Sequence, residues 1–286
     1  MDKKICFTRR HQRTRITKMN GRLEIQTIYR NNKTILKDSF MSPPFKLADI
    51  TENKKSSMLE LMMMSSSPGT LDKDNLNIDI LIDENCSVIL STQSYQRIFN
   101  MKDSATQHTN IKMRQNGFLS HIPHPTVPHK NANYTTINNI YLENSSTLIW
   151  GELLTCGRKL NNEIFLFNKM HSITNVYCEN NLIIRENLLM EPSTMNLSAI
   201  GQLEGYTHQA SLICFNNKMD NEETKNSVYE LLNAHTEIKF GISNATAHSI
   251  KVRILGRHAE ELFDILNKIN KLLTVSTITD KNKSLV

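Results

Sequence analysis

Alternating apolar and polar side chains occupy long stretches of the first two-thirds of the chain. In residues 76–82 an apolar side chain stands at every second position, and residues 23–29 show a similar alternation that includes β-branched residues. Successive side chains of a strand point to opposite faces of a sheet, so a period of two predicts half-buried strands. The turn-forming pair Asn31-Asn32 leads into a further strand-like run at 34–40. These patterns predict a mainly β fold.

A turn followed by a strand recurs along the chain at a spacing of about 30 residues. The clearest copies span 83–90, 114–119 and 142–149, and a looser fourth copy spans 179–184. Asn and Gly tolerate the left-handed backbone of a tight corner, and each following strand can bury its apolar side chains against the next copy. The repeat predicts a β-solenoid or β-helix-like fold, with chance similarity among Asn-rich turns as the alternative.

The period changes to that of a helix near the C-terminal part of the chain. Residues 222–235 carry apolar side chains at helical spacing, and Asp220 or Asn221 is a suitable N-cap. Residues 259–273 place six Leu and Ile side chains on one face and charged residues on the other. We therefore predict two α-helices, of which the second covers one flank of the sheets.

The length and charge pattern suggest a single large domain with two short appendages. A chain of 286 residues can bury a sizeable core. We predict a β domain over 21–275, a basic and flexible N-terminal arm over 1–20, and a loose C-terminal tail over 276–286. Beyond the arm, acidic and basic residues are interspersed without aromatic side chains between clustered cations, which argues against nucleic-acid binding.

Cysteine usage and hydropathy predict a cytoplasmic location. No apolar run approaches the roughly 20 residues that span a membrane, and the basic N-terminus does not resemble an export signal. An odd number of scattered cysteines fits free thiols in a reducing compartment. The five are Cys6, Cys86, Cys156, Cys178 and Cys214.

Three histidines stand close together among prolines. His121, His124 and His129 carry imidazoles, which suit nickel, zinc and copper. Their spacing matches no standard zinc pattern, and an extended chain would spread the three side chains apart. We therefore interpret them as turn or surface histidines, with a metal site as the alternative.

Carboxylates in apolar or turn segments form the second candidate site. Asp74 follows the Pro68-Gly69 turn, while Glu152 follows an apolar run and Glu163 stands eleven residues later, with Arg158 as a possible partner for either glutamate. A carboxylate in an apolar strand is costly unless it is paired or solvated. The residues alone leave three interpretations open: a general acid and base pair, a water-filled metal path, or structural ion pairs. A glycine-rich phosphate loop, a nucleophile elbow and a His-Glu-x-x-His motif are all missing from the sequence.

The order of several short motifs resembles the urease accessory protein UreD family, called UreH in Helicobacter. The resemblance runs from about Leu23 to Leu273 and is strongest toward the Helicobacter type. The motifs are Ser-Pro-Pro-Phe-Lys-Leu at 42–47, Ser-Ser-Pro-Gly-Thr-Leu-Asp-Lys-Asp at 66–74, Ser-Thr-Gln-Ser-Tyr-Gln-Arg-Ile at 91–98, Pro-His-Pro-Thr-Val-Pro at 123–128, Gly-Glu-Leu-Leu-Thr-Cys-Gly-Arg at 151–158, Phe-Leu-Phe-Asn at 165–168 and Glu-Gly-Tyr-Thr-His at 204–208.

The resemblance implies a scaffold without a reaction of its own. It implies a β-solenoid-like fold with two helices, which binds UreF, through it the GTPase UreG, and the urease apoprotein, in a 2:2 or larger complex. The assembly inserts nickel into urease, and a tunnel through the UreD-type subunit is the implied nickel route. Nickel would be in transit, with no permanently bound cofactor.

Individual positions can be matched to the family pattern. Asp74 matches an aspartate after the Pro68-Gly69 turn, although Lys73 replaces the usual glycine before it, which puts a tight turn there in doubt. A Glu…Gly-Arg…Glu motif corresponds to Glu152, Gly157, Arg158 and Glu163, whereas His121, His124 and His129 match no family histidines. From this resemblance we expect Asp74, Glu152 and Glu163 to be transient nickel ligands, with Arg158 fixing the turn or tuning the local field.

Two other functions remain as alternatives. A β-helical carbohydrate-active enzyme could use Glu152 and Glu163 as its acid and base pair, which requires the two carboxyl groups to face one groove. A plain β-solenoid adaptor would bind proteins without any role for the three carboxylates in nickel transfer.

Overall fold

The structure is a computed structural model that describes residues 19–53 and 56–283, with side chains described as far as Val275. Most of the predicted basic arm, residues 1–18, lies outside the described residues. The described backbone forms seventeen strands, two α-helices and one short 3-10 helix. None of the described helices is both long and apolar enough to cross a membrane.

The elements follow one another along the chain as a series of short and medium strands, with both α-helices in the last third. The strands are β1 (Asn20–Arg30), β2 (Lys33–Met41), β3 (Phe45–Asp49), β4 (Leu59–Ser65), β5 (Asn75–Ile82), β6 (Ser87–Thr92), β7 (Gln96–Ile98), β8 (Ala105–Met113), β9 (Phe118–His121), β10 (Thr126–Pro128), β11 (Asn133–Leu142), β12 (Thr147–Leu154), β13 (Lys169–Cys178), β14 (Asn181–Met190), β15 (His208–Asn216), β16 (Lys239–Thr246) and β17 (Ser249–Gly256). The helices are the 3-10 helix Lys159–Asn161, α1 (Asn221–Asn233) and α2 (Ala259–Lys283).

The chain alternates between two sheets as it proceeds from β4 to β13. One sheet has seven strands in the order β14-β13-β11-β8-β5-β1-β2, and the other has ten, with the main order β16-β17-β15-β12-β9-β6-β4-β3. The central strands of each sheet are parallel, because the chain visits the other sheet before it returns. The strands toward the margins pair antiparallel.

Register between neighbouring parallel strands explains the sequence repeat. Ile80 pairs with Ile111, which pairs with Ile140, which in turn pairs with Val176, and all four are buried. On the opposite face, one position before each of these residues, a ladder of side-chain hydrogen bonds joins Asp79, Asn110, Asn139 and Asn175 at 3.0 to 3.3 Å. Like residues therefore stack at the strand-to-strand interval, with apolar side chains inside and amides outside.

Three of the four predicted repeat copies are neighbours in the ten-stranded sheet. Strands β6, β9 and β12 pair in parallel, and the turns before the first two contain Asn85 and Asn116 with φ near +60°. The fourth copy differs, because β14 pairs antiparallel with β13 in the other sheet. The mainly β class with two helices is confirmed. Since both sheets are mixed, the β-solenoid arrangement stays a prediction.

The two predicted helices are present, and the second is longer than the apolar pattern indicated. Asp220 caps α1 by accepting hydrogen bonds from the backbone N–H groups of Glu222 and Glu223. Helix α2 buries Leu262, Ile265, Leu266 and Ile269 in an apolar cluster with strands of the ten-stranded sheet, so its apolar face covers one flank of that sheet.

The predicted end of the second helix at Leu273 was ten residues early. The helical backbone continues to Lys283 and so includes residues 276–283 of the segment predicted as a loose tail. Residues 259–283 contain neither Gly nor Pro, so the sequence supplies no strong stop signal there.

Candidate functional site

A cavity of about 250 Å³ lies between the two sheets. Strands β5, β8, β11 and β13 contribute to one wall, and strands β6, β9, β12 and β15 contribute to the other. Its lining combines aliphatic side chains with Asp74, Glu152, His121 and several amides and hydroxyls. Two of the three predicted carboxylates therefore line the same cavity.

Glu152 on β12 links the two sheets through its carboxylate. Oε1 accepts hydrogen bonds from Trp150 Nε1 at 3.0 Å, Asn138 Nδ2 at 3.2 Å and Thr174 Oγ1 at 2.6 Å, and Oε2 accepts one from Ser172 Oγ at 2.7 Å. Three of these four donors lie on β11 and β13 in the opposite sheet. The donors compensate the carboxylate for the water that it loses inside the fold.

Asp74 directly precedes β5, and only 4% of its surface is exposed. Its Oδ2 accepts a hydrogen bond from the backbone N–H of Leu71 at 2.8 Å. Burial raises the pKa of the Asp74 carboxyl. Lys73 adopts φ +69°, so the turn before the aspartate is left-handed without the usual glycine, and Lys73 Nζ forms an ion pair with Asp103 at 3.0 Å. The doubt about a tight turn at this point is thereby removed.

The Pro68-Gly69 turn brings the chain close to the strand that carries Arg97. A Cβ atom on Gly69 would lie 2.4 Å from the backbone oxygen of Arg97, so a larger residue would force the two segments apart. The following Thr70 donates its N–H to the same oxygen at 2.8 Å. Pro68 and Gly69 both line the cavity, and the turn fixes the segment that leads to Asp74.

A polar cluster around Tyr134 lines the same cavity as the two carboxylates. The Tyr134 hydroxyl donates to Gln107 Oε1 at 3.1 Å and accepts from Gln96 Nε2 at 3.2 Å. Burial raises the pKa of Tyr134, and the negative charges of Asp74 and Glu152 raise it further. Amide and hydroxyl groups therefore occupy the space near both carboxylates.

Glu163 is held in a different environment from Glu152. Its carboxylate accepts from Arg158 Nε at 2.8 Å, forms a second ion-pair contact with the same guanidinium, and accepts from the Lys130 N–H at 3.1 Å. The guanidinium holds the pKa of Glu163 below its usual value. Glu163 is not among the residues that line the cavity. The structural ion-pair interpretation therefore fits Glu163, while Asp74 and Glu152 face the interior.

Gly157 closes the loop that carries the Arg158–Glu163 pair. Its φ is +119°, and a Cβ atom there would lie 2.6 Å from the backbone oxygen of Glu163 and 2.8 Å from that of Pro128. Only glycine fits this backbone and this space without strain. The Gly-Arg…Glu portion of the motif thus forms a compact loop.

The three clustered histidines separate into different surroundings. His121 lies in the cavity wall and His124 also lines it, where the His124 ring stacks on Phe263 at 4.5 Å. His129 packs on Phe99 at 4.6 Å and does not line the cavity. The prediction of turn or surface side chains was wrong for His121, which lies in β9 and is 6% exposed because neighbouring strands pack over its ring. His129 does begin a turn, in which the Ala132 N–H donates to the His129 oxygen at 3.1 Å, but its side chain is only 7% exposed.

A second charged group joins the two sheets and was missed from the sequence. Glu186 on β14 forms ion pairs with Lys251 and Arg253 on β17. Burial, together with the neighbouring Arg253, lowers the pKa of Lys251 to about 8, while the charge of Glu152 acts in the opposite direction. Glu186 is buried, as are Asn138 and Thr174, whereas the Arg253 side chain remains 45% exposed. Polar residues in phase with buried apolar ones, such as Asn138 two positions before Ile140, are the signal that would have identified them.

Metal-binding potential in the cavity rests on separate side chains. Within the part of the chain that the structure describes, no three His, Cys, Asp or Glu residues group closely enough to hold a metal ion together. Carboxylate and amide oxygens are ligands for divalent ions, and imidazole adds nitrogen. The arrangement offers single, dispersed ligands to an ion.

The family model and the similar proteins that match this chain carry the same description. The model of the UreD urease accessory protein family matches residues 19–284. A urease accessory protein UreD of Flavobacterium johnsoniae is 37% identical over 259 residues, which cover 90% of this chain and 94% of the relative. Proteins with the same description from Acetivibrio thermocellus and Haemophilus influenzae are 34% and 36% identical, covering 88% and 89% of this chain and 97% and 99% of those relatives. The chain therefore belongs to the UreD urease accessory protein family.

Proposed function

We propose that this chain serves urease maturation as a scaffold that passes nickel through its interior. It would bind UreF, through UreF the GTPase UreG, and the urease apoprotein, in a 2:2 or larger complex in the cytoplasm. Membership of a family named for urease accessory proteins supports the maturation role. The same names support a function without catalysis by this chain. We propose in addition that nickel is only in transit and that no cofactor is permanently bound.

The observation that carries the nickel proposal is the cavity between the sheets. Asp74 and Glu152 both line it, and amide and hydroxyl groups lie near both. Oxygen ligands at separate points bind a divalent ion less firmly than a closed cage, and weak binding suits an ion that must leave again. The proposal therefore retains Asp74 and Glu152 as transient ligands and assigns Glu163 to the loop that it forms with Arg158.

Binding of partners and passage of nickel can be tested separately. Cells that express urease but lack this protein are complemented with the wild-type chain or with the double variant Asp74→Asn plus Glu152→Gln. We expect both to co-purify with UreF and urease, and only the wild type to restore urease activity. A wild-type chain that captures neither protein, together with full urease activity in cells without it, would refute the scaffold role.

The alternative of a carbohydrate-active enzyme is not favoured by the geometry. Its acid and base pair would be Glu152 and Glu163, but Glu152 faces the cavity while Glu163 is tied to Arg158 outside the cavity lining. The plain adaptor remains the competing function. It predicts that the double variant restores urease activity as well as the wild type does.

A further inference from the structure

His121 lines the cavity but is not among the proposed nickel ligands Asp74 and Glu152. The ring of His121 is buried in the cavity wall, and its Nδ1 lies 2.8 Å from the backbone oxygen of Leu90. A carbonyl oxygen can only accept a hydrogen bond, so Nδ1 carries the proton. The neutral ring then has its lone pair on Nε2, the nitrogen that is able to bind a metal ion.

Strand pairing and stacking fix this ring in place. His121 ends β9, where its Cα is in register with Leu90 of β6 on one side and with Trp150 of β12 on the other. The imidazole packs on the Trp150 ring with centroids 4.8 Å apart, and Trp150 Nε1 donates to Glu152 Oε1 at 3.0 Å. One indole thus contacts both His121 and Glu152.

We propose that His121 Nε2 is a nitrogen ligand for a borderline divalent transition-metal ion, Ni²⁺ in the proposed function, as the ion passes Glu152. The hydrogen bond from Nδ1 to a backbone carbonyl is the outer contact that orients metal-binding histidines in proteins. This inference rests on the proposed function and adds to it a residue that distinguishes between metals.

The chemical consequence is selectivity. A path lined by carboxylate, amide and hydroxyl oxygens alone suits Mg²⁺ and Ca²⁺ as well as nickel. A single imidazole nitrogen shifts the preference toward nickel, copper and zinc, because these ions bind nitrogen ligands more strongly than the hard ions do. His121 would therefore favour nickel over the more abundant hard cations.

The variant His121→Gln tests this in urease activation with purified accessory proteins and apo-urease. Gln keeps an N–H donor for Leu90 but has no imidazole. With Ni²⁺ titrated at fixed excess Mg²⁺, we expect the nickel concentration for half-maximal activation to rise about tenfold or more, with the maximum retained. His129→Gln is the matched control, since His129 is equally buried but lies outside the cavity lining; its half-maximal concentration should stay unchanged.

The outcomes separate this inference from the proposed function. A lower maximum without a shift in the nickel requirement indicates a structural role for His121 and overturns the inference. The inference is also overturned if His121→Gln leaves the nickel requirement unshifted while the Asp74→Asn plus Glu152→Gln double variant is strongly impaired in urease activation. That result would leave the proposed path intact. If His121→Gln, His129→Gln and the Asp74→Asn plus Glu152→Gln double variant all activate urease as the wild type does, the path itself is rejected.

A measurement on the wild-type chain covers the case in which His121→Gln does not fold. Paramagnetic Ni²⁺, added as nickel chloride below one equivalent, broadens the NMR signals of imidazoles that it contacts. We expect the His121 ring signals to broaden while those of His129 stay sharp. The inference would be contradicted if the His121 ring signals stay sharp at nickel concentrations that broaden the signals of other nickel-binding side chains.

Discussion

Two glutamates eleven residues apart show how surroundings decide the role of one residue type. Glu152 accepts four hydrogen bonds, three of them from the opposite sheet, and faces the cavity. Glu163 is bound by Arg158 and by the Lys130 N–H. The sequence indicated both as candidates and Arg158 as a partner for either one. It could not choose between them, because the donors of Glu152 lie on strands that are distant in sequence.

A substitution at Gly157 should destabilise the fold locally. Gly157→Ala would place Cβ within 2.6 Å of the Glu163 backbone oxygen at a φ of +119°. We expect a loss of about 1–3 kcal/mol in the free energy of unfolding, measured by urea denaturation. Gly241→Ala is the control, because nothing lies within 4 Å of its added Cβ. Equal unfolding midpoints for the two variants would contradict this account of the loop.

Acid should destabilise the protein through buried histidines. Burial, aided by the charge of Lys159, lowers the pKa of His208 from 6.5 to about 4. Between these pH values the unfolded chain binds a proton at His208 that the folded chain does not. The contribution of His208 to stability is therefore fully present above pH 6.5 and is lost as the pH falls toward 4.

The decline attributable to His208 is about 1.4 kcal/mol for each pH unit within that window. Urea denaturation at several pH values should show a shallower decline for His208→Asn than for the wild type. Burial also lowers the pKa values of His121 and His129, so part of the slope should persist in the variant. Identical slopes in the two proteins would show that His208 contributes nothing.

At the level of elements, helix α2 shows which features a sequence makes visible. Its apolar side chains recur at helical spacing, and its start at Ala259 was predicted at the residue where it occurs. Its end was not, since no Gly or Pro marks it. The strand runs were equally visible, but their order in two mixed sheets depends on pairing between distant segments, which local periodicity does not encode.

The apolar face of α2 should contribute strongly to stability. Ile265 is fully buried among strands of the ten-stranded sheet. Ile265→Ala should therefore cost about 2–5 kcal/mol in the free energy of unfolding. Lys268→Ala, on the exposed face of the same helix, should change it by less than about 0.5 kcal/mol. Circular dichroism during urea unfolding measures both, and a small effect of Ile265→Ala would mean that the helix packs weakly on the sheet.

For the whole molecule, alternation of the chain between two sheets is what creates an interior with polar groups from both walls. The family could be identified from the order of short motifs, and its match over residues 19–284 confirms that identification. The cavity could not be predicted, because its lining is drawn from at least eight strands. His121 illustrates the difficulty: its role depends on Leu90 and Trp150, each about 30 residues away in sequence.

The central claim is that nickel reaches urease past Asp74 and Glu152, and the nickel content of urease tests it most directly. Urease is purified from cells that express the wild-type chain, the Asp74→Asn plus Glu152→Gln variant, or Glu163→Gln, with each chain at equal level and still bound to UreF. We predict that metal analysis finds urease nickel reduced at least severalfold with the double variant and close to wild type with Glu163→Gln. Full nickel content with the double variant would contradict the account.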